Sequence, residues 1–376
     1  MKKILLIISA ILFLSSCGGG MAYRIEGKLD NLTDQVIYVV FESEDRSLVD
    51  TVVCEKPGQF TLDQPQEGFN LATLFFENKS AWFTVYLEPN VQVKVSGDVR
   101  YPALLQAKGG KLNKELSAIR AKMASLLKEQ ADLFAGLNRD NGTGAMDRSD
   151  MSSKWTNVNH QLSELALTYI QEHPSEQASV ILIHTFFVDP DDTRKLDELL
   201  IALDPALKDF YLVKELEQYS VKAKLTALGA EAPNFTVKNV YGESVALDSF
   251  ANKYLILAFT APWCDMCRTD DLYLDEIERL YSKDDLEQLL VSLDDDLEGV
   301  RQLLEKDSIP WNLVTDSARQ ATLLIDLYNV AALPRCFLID KEGKIILKTE
   351  SGLEIKQTLE QLIMNEDTNR EEEDGV

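Results

Sequence analysis

Five residues, Trp263-Cys264-Asp265-Met266-Cys267, constrain this chain more than any others. They stand directly after the apolar run Tyr254-Leu255-Ile256-Leu257-Ala258-Phe259 and before a charged amphipathic stretch. That order predicts strand, turn and helix, with Cys264 exposed at the helix N-terminus. Two thiols three positions apart there can close into a disulfide and reopen. The helix dipole and the N–H groups of the first turn favour the thiolate of the first cysteine. The motif is read as a redox site.

The N-terminus supplies a compartment for such chemistry. Met1-Lys2-Lys3 is a positive start, and Ile4 to Leu14 is an apolar stretch too short to span a bilayer. Leu14-Ser15-Ser16-Cys17 follows and resembles a bacterial lipobox. The resemblance implies cleavage before Cys17 and acylation of that residue. Each buried methylene contributes about 0.8 kcal/mol, so several chains on one residue anchor a protein. An ordinary secretory signal ending in cysteine is the alternative, and both place the mature protein outside the cytoplasm. Residues 1–16 are thus expected to be the signal peptide, and 17–21 the lipid anchor with its glycine tether. Gly18 is not the aspartate that retains many such lipoproteins at the inner membrane, which favours a periplasm-facing anchor in the outer membrane.

At 376 residues the chain has room for two or three domains. Asp and Glu total 62 against 38 Lys and Arg, a formal charge of -24, which argues against nucleic-acid binding. The acidic end, residues 365–376, is expected to be a solvated tail. Besides Cys17, Cys264 and Cys267, only Cys54 and Cys336 remain, in what look like different domains. Cysteine therefore serves chemistry more than stapling. Both remaining thiols are expected to be small buried residues, with a third redox thiol at Cys336 as the alternative.

Periodicity divides the rest into three zones of a multidomain chain. Residues 22–108 carry short alternating apolar runs, such as Val36 to Phe41 and Ala81 to Leu87, separated by Pro57-Gly58, Glu67-Gly68 and Pro89-Asn90. That spacing predicts an all-β sandwich-like domain. Residues 109–228 change to helical period, with Leu112, Leu116, Ile119, Met123, Leu126 and Leu127 on one long helix and Leu162 to Ile170 on another. Asn138 to Gly144 separates these two. Ser175-Glu176 starts a third, and Asp204-Pro205 is expected to cap a fourth. His160, His173 and His184 lie here without metal-ligand spacing, so no metal site is expected. Residues 229–364 alternate strands and helices, which predicts a mixed sheet covered on both faces. Helices are expected near 297–306, 317–328 and 354–364.

This last zone resembles the TlpA/AhpC-TSA type of thioredoxin-fold thiol-disulfide oxidoreductases. The resemblance rests on Ala232-Pro233-Asn234-Phe235, Trp263 to Arg268, Tyr328-Asn329-Val330, Leu333-Pro334 and Phe337-Leu338-Ile339-Asp340 with Gly343. It implies a cis bond before Pro334 and a turn packed beside the cysteines. Leu333 would then pair with a substrate strand through its backbone. Cys264 would attack a substrate disulfide and Cys267, more buried, would resolve it. Trp263 would shield the disulfide and offer contact surface. The carboxylate of Asp265 would oppose the helix dipole at the nucleophile and tip the pair towards reduction, with a merely solvated acid at the helix N-terminus as the alternative. The resemblance further implies disulfide-containing protein substrates and a membrane electron donor of the DsbD kind, in cytochrome c maturation or redox homeostasis, with no cofactor. The first zone and its helical continuation resemble a domain of unknown function that precedes such thioredoxin domains in lipoproteins, through Ile25-Glu26-Gly27-Lys28-Leu29 and Asp50-Thr51-Val52.

The chain also departs from the pattern. Ala258 occupies the place of a buried acid that assists proton transfer in thioredoxins, leaving Asp270 or another acid as a substitute. Leu272 stands where a helix-kinking proline is usual. A peroxidase of the same superfamily is rejected, because Leu257 and Ala261 stand where its proline and hydroxyl residue belong. The competing class is a non-catalytic lipoprotein binding or scaffold module on a thioredoxin fold.

Overall fold

The computed structural model describes residues 23–54, 56–64, 68–137, 148–298, 300 and 312–362. The expected signal peptide, Cys17 and the acidic tail lie outside them, as does most of the helix expected at 297–306. Two compact units divide the chain between Leu182 and Ile183. Among the described residues no helix is long and apolar enough to cross a membrane.

Among the described residues the first unit has eight strands: β1 (Tyr23–Asp30), β2 (Val36–Glu42), β3 (Ser47–Val53), β4 (Gln59–Gln64), β5 (Leu71–Phe76), β6 (Ala81–Tyr86), β7 (Gln92–Asp98) and β8 (Gln106–Lys108). They form two four-stranded sheets, in the orders β4-β1-β7-β8 and β3-β2-β5-β6. Period-2 alternation sends Ile37, Val39 and Phe41 of β2 and Phe60 and Leu62 of β4 into one shared core. Gly27 lies opposite Phe60 across β1 and β4, and a Cβ there would come within 1.8 Å of the Phe60 ring. The glycine thus makes room for a cross-strand aromatic.

Helix α1 (Lys111–Lys122) closes one side of this sandwich. β6 and β8 are edge strands of the two sheets, and each carries backbone groups without a strand partner. Asn113 meets both groups of Tyr86: the Tyr86 N–H donates to Oδ1 at 2.9 Å, and Nδ2 donates to the carbonyl at 2.6 Å. Ser117 does the same for Ala107, accepting from its N–H and donating to its carbonyl, both at 3.0 Å. One helix face therefore satisfies an edge of each sheet. The helical run does not continue unbroken as expected. Met123, 3% exposed, adopts φ −88° and ψ 1° and separates α1 from α2 (Ala124–Leu137). α2 lies along α3 (Arg148–Glu172), joined by Gln130 Nε2 donating to Asn159 Oδ1 at 2.6 Å and by the rings of Phe134 and Trp155. Next comes α4 (Gln177–Phe186).

The second unit adds α5 (Arg194–Ala202) and α6 (Tyr211–Leu225). Asp204 does cap, accepting from the Ala206 N–H at 2.8 Å, but it caps the 3-10 turn Pro205–Leu207. Helices stand on either side of that turn, so the expected fourth helix starts later, at Tyr211. The hairpin β9 (Thr236–Lys238) and β10 (Ser244–Ala246) leads into a five-stranded sheet ordered β13-β12-β11-β14-β15. Its strands are β11 (Tyr254–Thr260), β12 (Leu286–Ser292), β13 (Asn312–Thr315), β14 (Arg335–Ile339) and β15 (Ile345–Thr349). β11, β12 and β13 pair in parallel, while β14 pairs antiparallel with both β11 and β15. Leu255, Leu257 and Phe259 of β11 pack on one side with Leu324, Tyr328 and Phe337. Ile256 and Ala258 pack on the other with Leu274, Ile277, Ile355 and Leu359. Those faces are covered by α7 (Asp265–Leu280), α8 (Gln320–Leu327) and α9 (352–362). The helix expected from residue 317 is split, because Arg319 takes a left-handed φ of 57° between a 3-10 turn and α8.

If α1 protects the sandwich edges, Asn113→Ala leaves part-buried backbone groups of Tyr86 without their partner and costs about 1–3 kcal/mol. The expected result is a lower urea midpoint for unfolding of the β-rich unit, with the rate of disulfide exchange unaltered. An unchanged midpoint would show that water serves the edge equally well.

Candidate redox site

β11 is buried along its length, so the chain leaves it at the covered centre of the sheet and turns directly into α7. Ala261, Pro262 and Trp263 make the turn, and Cys264 is the N-cap residue of α7 with extended φ/ψ of −89° and 97°. Its Sγ accepts a hydrogen bond from the Cys267 N–H at 3.2 Å. The two cysteines are joined, with S–S 2.09 Å and Cα–Cα 5.3 Å. This is the position where backbone N–H groups and the helix dipole stabilise negative charge on sulfur.

Around the disulfide lie Ala261, Leu293 and Leu333. Leu293 arrives because its N–H donates to the Thr260 carbonyl at 3.0 Å, extending the β11–β12 pairing by one step. Leu333 arrives on the segment that follows α8, and the Leu333-Pro334 peptide is cis. The sequence pattern brings Cys264, Cys267, Leu333 and Pro334 to one place. Leu293 was not singled out in the sequence, although the tendency of open α/β sheets to place sites at the carboxyl ends of parallel strands points to it.

One expectation needs correction. Cys264 is not openly exposed: it is 7% accessible against 2% for Cys267. The order between the two cysteines is as expected, and Ala261, Leu293 and Leu333 pack against both. Trp263 is 70% exposed, and Met266 on the first turn of α7 is 66% exposed, so both present surface at the turn into the helix. Asp265 is the exposed first residue of α7.

Ala258 is buried in the sheet, next to Leu274 and Cys336 in the same core cluster. Gln288 lines the same layer, and its Nε2 donates at 3.0 Å to both the Leu274 carbonyl and Glu278 Oε2. The side chains of Asp270 and Leu272 lie outside the described residues. Cys54 and Cys336 are both buried, at 5% and 2% exposure, and outside the disulfide. Burial pushes the Cys54 thiol pKa up. Below the site, Tyr328 is fully buried with its ring against Phe235, Phe259 and Phe337, and its hydroxyl donates to the Pro233 carbonyl at 2.8 Å. Burial raises the Tyr328 pKa, so the hydroxyl stays a donor.

A mixed five-stranded sheet covered on both faces, with a disulfide at the N-terminus of the helix after its central strand, defines a thioredoxin-like protein. Residues 227–363 match the Redoxin family, and residues 23–116 match a domain of unknown function (DUF4369). Thiol-disulfide oxidoreductase ResA of Geobacillus thermodenitrificans (strain NG80-2) is 32% identical over 139 residues, which cover 36% of this chain and 78% of that protein. Thiol-disulfide oxidoreductase ResA of Bacillus thuringiensis subsp. konkukian (strain 97-27) is 29% identical over 145 residues, covering 39% of this chain and 82% of that protein. Among solved structures, the C-terminal domain of a putative thiol-disulfide oxidoreductase from Bacteroides thetaiotaomicron is 27% identical. It covers 37% of this chain and 98% of that one, with a TM-score of 0.34. Through this region the chain belongs to the ResA-like thiol-disulfide oxidoreductases, and it is a thioredoxin-like enzyme of that class.

The burial pattern predicts the thiol reactivity of the folded enzyme. After reduction under native conditions, iodoacetamide should modify Cys264 first, with Cys54 and Cys336 labelled only on unfolding. Rapid native labelling of Cys336 would instead make it a third reactive thiol, and peptide mass mapping distinguishes the two.

Proposed function

We propose that this enzyme works outside the cytoplasm as a lipid-anchored reductant of protein disulfides, with Cys264 as nucleophile and Cys267 as resolving thiol. The observation that supports it best is the Cys264–Cys267 disulfide at the N-terminus of α7, with Leu333 and the cis Pro334 at its side. Cys264 as thiolate attacks one sulfur of a substrate disulfide. A mixed disulfide forms, the substrate S–S bond breaks, and the departing sulfur takes up a proton. Cys267, deprotonated, then attacks Cys264 Sγ and the second substrate sulfur leaves as a thiol. Two electrons and two protons have passed to the substrate, and the enzyme is left oxidised. A dithiol donor of the DsbD kind restores it in the same way.

The backbone of Leu333 would hold the substrate strand in line with Cys264 Sγ. Trp263 and Met266, both exposed beside the disulfide, supply apolar contact for the same polypeptide. Asp265 places a carboxylate at the helix start, where it counters the dipole and disfavours the Cys264 thiolate. A less stabilised reduced form gives a lower potential, which favours donation of electrons to secreted or periplasmic proteins, including apocytochromes awaiting haem. The lipobox-like residues before Cys17 support the anchor, and Gly18 supports an outer-membrane site for it.

In an insulin-reduction assay with dithiothreitol, Cys264→Ser should abolish the acceleration of turbidity seen with the wild type; equal rates would remove the dithiol from the mechanism. Equilibration against glutathione should give a potential near that of thioredoxin, about −270 mV, and a value near about −120 mV would reverse the direction proposed. Cys267→Ser should accumulate the mixed disulfide and so identify the substrate by mass spectrometry.

A further inference from the structure

The segment from Tyr328 to Arg335, which carries Leu333 and the cis Pro334, is tied at both ends to the helical part of the second unit. At its start Asn329, in the left-handed conformation with φ 52°, is hydrogen-bonded to Tyr219 of α6. Just before it, Lys222 of α6 is ion-paired with Asp326 of α8. At its end Arg335 Nη2 donates to Asp191 Oδ1 at 2.8 Å, in the connection between α4 and α5. Lys348 of β15 reaches the same oxygen at 3.1 Å and donates to the Pro190 carbonyl at 2.9 Å.

The setting makes the Arg335–Asp191 contact unlike an ordinary surface ion pair. The side chains of Lys348 and Arg335 are 4% and 11% exposed, while Asp191, at 52%, is the carboxylate they share. Burial lowers the Lys348 pKa, an effect the Asp191 hydrogen bond opposes. For Asp191 burial pushes upward, but the hydrogen bond from Lys348 and the charge of Arg335 outweigh it and hold the carboxyl below its usual range. Two buried cations therefore depend on one acid outside the sheet, and one of them directly follows Pro334. The guanidinium also lies 5.8 Å from the centre of the Phe337 ring, a residue of the sheet core. Reorientation of Arg335 would turn the peptide that presents Leu333.

We propose that Arg335, clamped by Asp191, is a positioning residue. It holds the Leu333-Pro334 peptide in the orientation that receives a substrate strand, so the helical part of this unit sets the enzyme's affinity for protein disulfides. This rests on the dithiol reading above and adds a docking determinant supplied by residues outside the sheet. The clamp acts on polypeptide binding and leaves sulfur chemistry alone.

The test compares two disulfides on the reduced full-length enzyme. Insulin needs a docked strand, whereas 5,5′-dithiobis(2-nitrobenzoate) has none to dock. Arg335→Met and Asp191→Asn should each raise the KM for insulin about tenfold, with kcat and the small-disulfide rate within about twofold of wild type. Arg335→Lys, which keeps a cation for Asp191, should recover most of the affinity. The double variant should be no worse than either single one, because both remove the same contact. Tyr219→Phe, at the other tie, should shift KM in the same direction. Thermal unfolding of each variant identifies those that are folded, and Asp191→Asn, at a half-exposed residue, keeps the test open if Arg335→Met fails to fold. An unchanged insulin KM in folded variants would overturn the proposal, as would a parallel loss with the small disulfide. A wild type inactive on both disulfides would instead overturn the dithiol reading itself.

Discussion

β11 is the constraint on which the second unit depends. Tyr254 through Phe259 are buried on both faces, so apolar layers must cover both sides of the sheet. A central parallel strand cannot return through a tight hairpin, and the chain goes directly into α7 at its carboxyl end. That geometry puts Cys264 at a helix N-terminus and Cys267 one turn further in. The same strand end is where Leu293 arrives along β12 and where Leu333 arrives from the loop after α8. The redox chemistry thus occupies the place where strand burial and helix polarity coincide.

Tyr328 links that place to the remainder of the unit. Its ring fills the layer between Phe235, Phe259 and Phe337, and its hydroxyl ties down Pro233. The segment that reaches Pro334 therefore starts from a fixed point in the core. Its far end passes into β14, where Arg335 meets Asp191. In the first unit a related economy operates at the sheet edges. Asn113 and Ser117, on one face of α1, each satisfy both backbone groups of an edge-strand residue, which lets a two-sheet sandwich end on a helix.

Local pattern made much of this legible. Alternation located β2 and β6 because one face of each is buried, and the apolar run before the cysteines located β11 because both faces are. Leu333-Pro334 was legible through its resemblance to a family that carries a cis bond there. Other features depend on neighbours remote in sequence. Asp204-Pro205 has the chemistry of a helix start, yet the chain closes only a 3-10 turn before α6 begins. Arg319, in the left-handed region, interrupts a segment whose apolar periodicity is continuous. Met123 does the same between α1 and α2. Cys264 is buried where the spacing alone predicts exposure, because Leu293 and Leu333 reach it from remote parts of the chain.

The amino-acid sequence by itself determined the chemistry: two thiols spaced to form a disulfide, at the junction of a buried strand and an amphipathic helix. Spacing and periodicity are local properties, and local backbone geometry is sufficient to express them. Only the tertiary structure decided what surrounds those sulfurs. Leu293 and Leu333 wall the disulfide because sheet pairing and the cis peptide bring them there, and Asp191 reaches Arg335 across 144 positions of chain. Such contacts arise when buried charges and apolar side chains find partners that spacing along the chain does not specify.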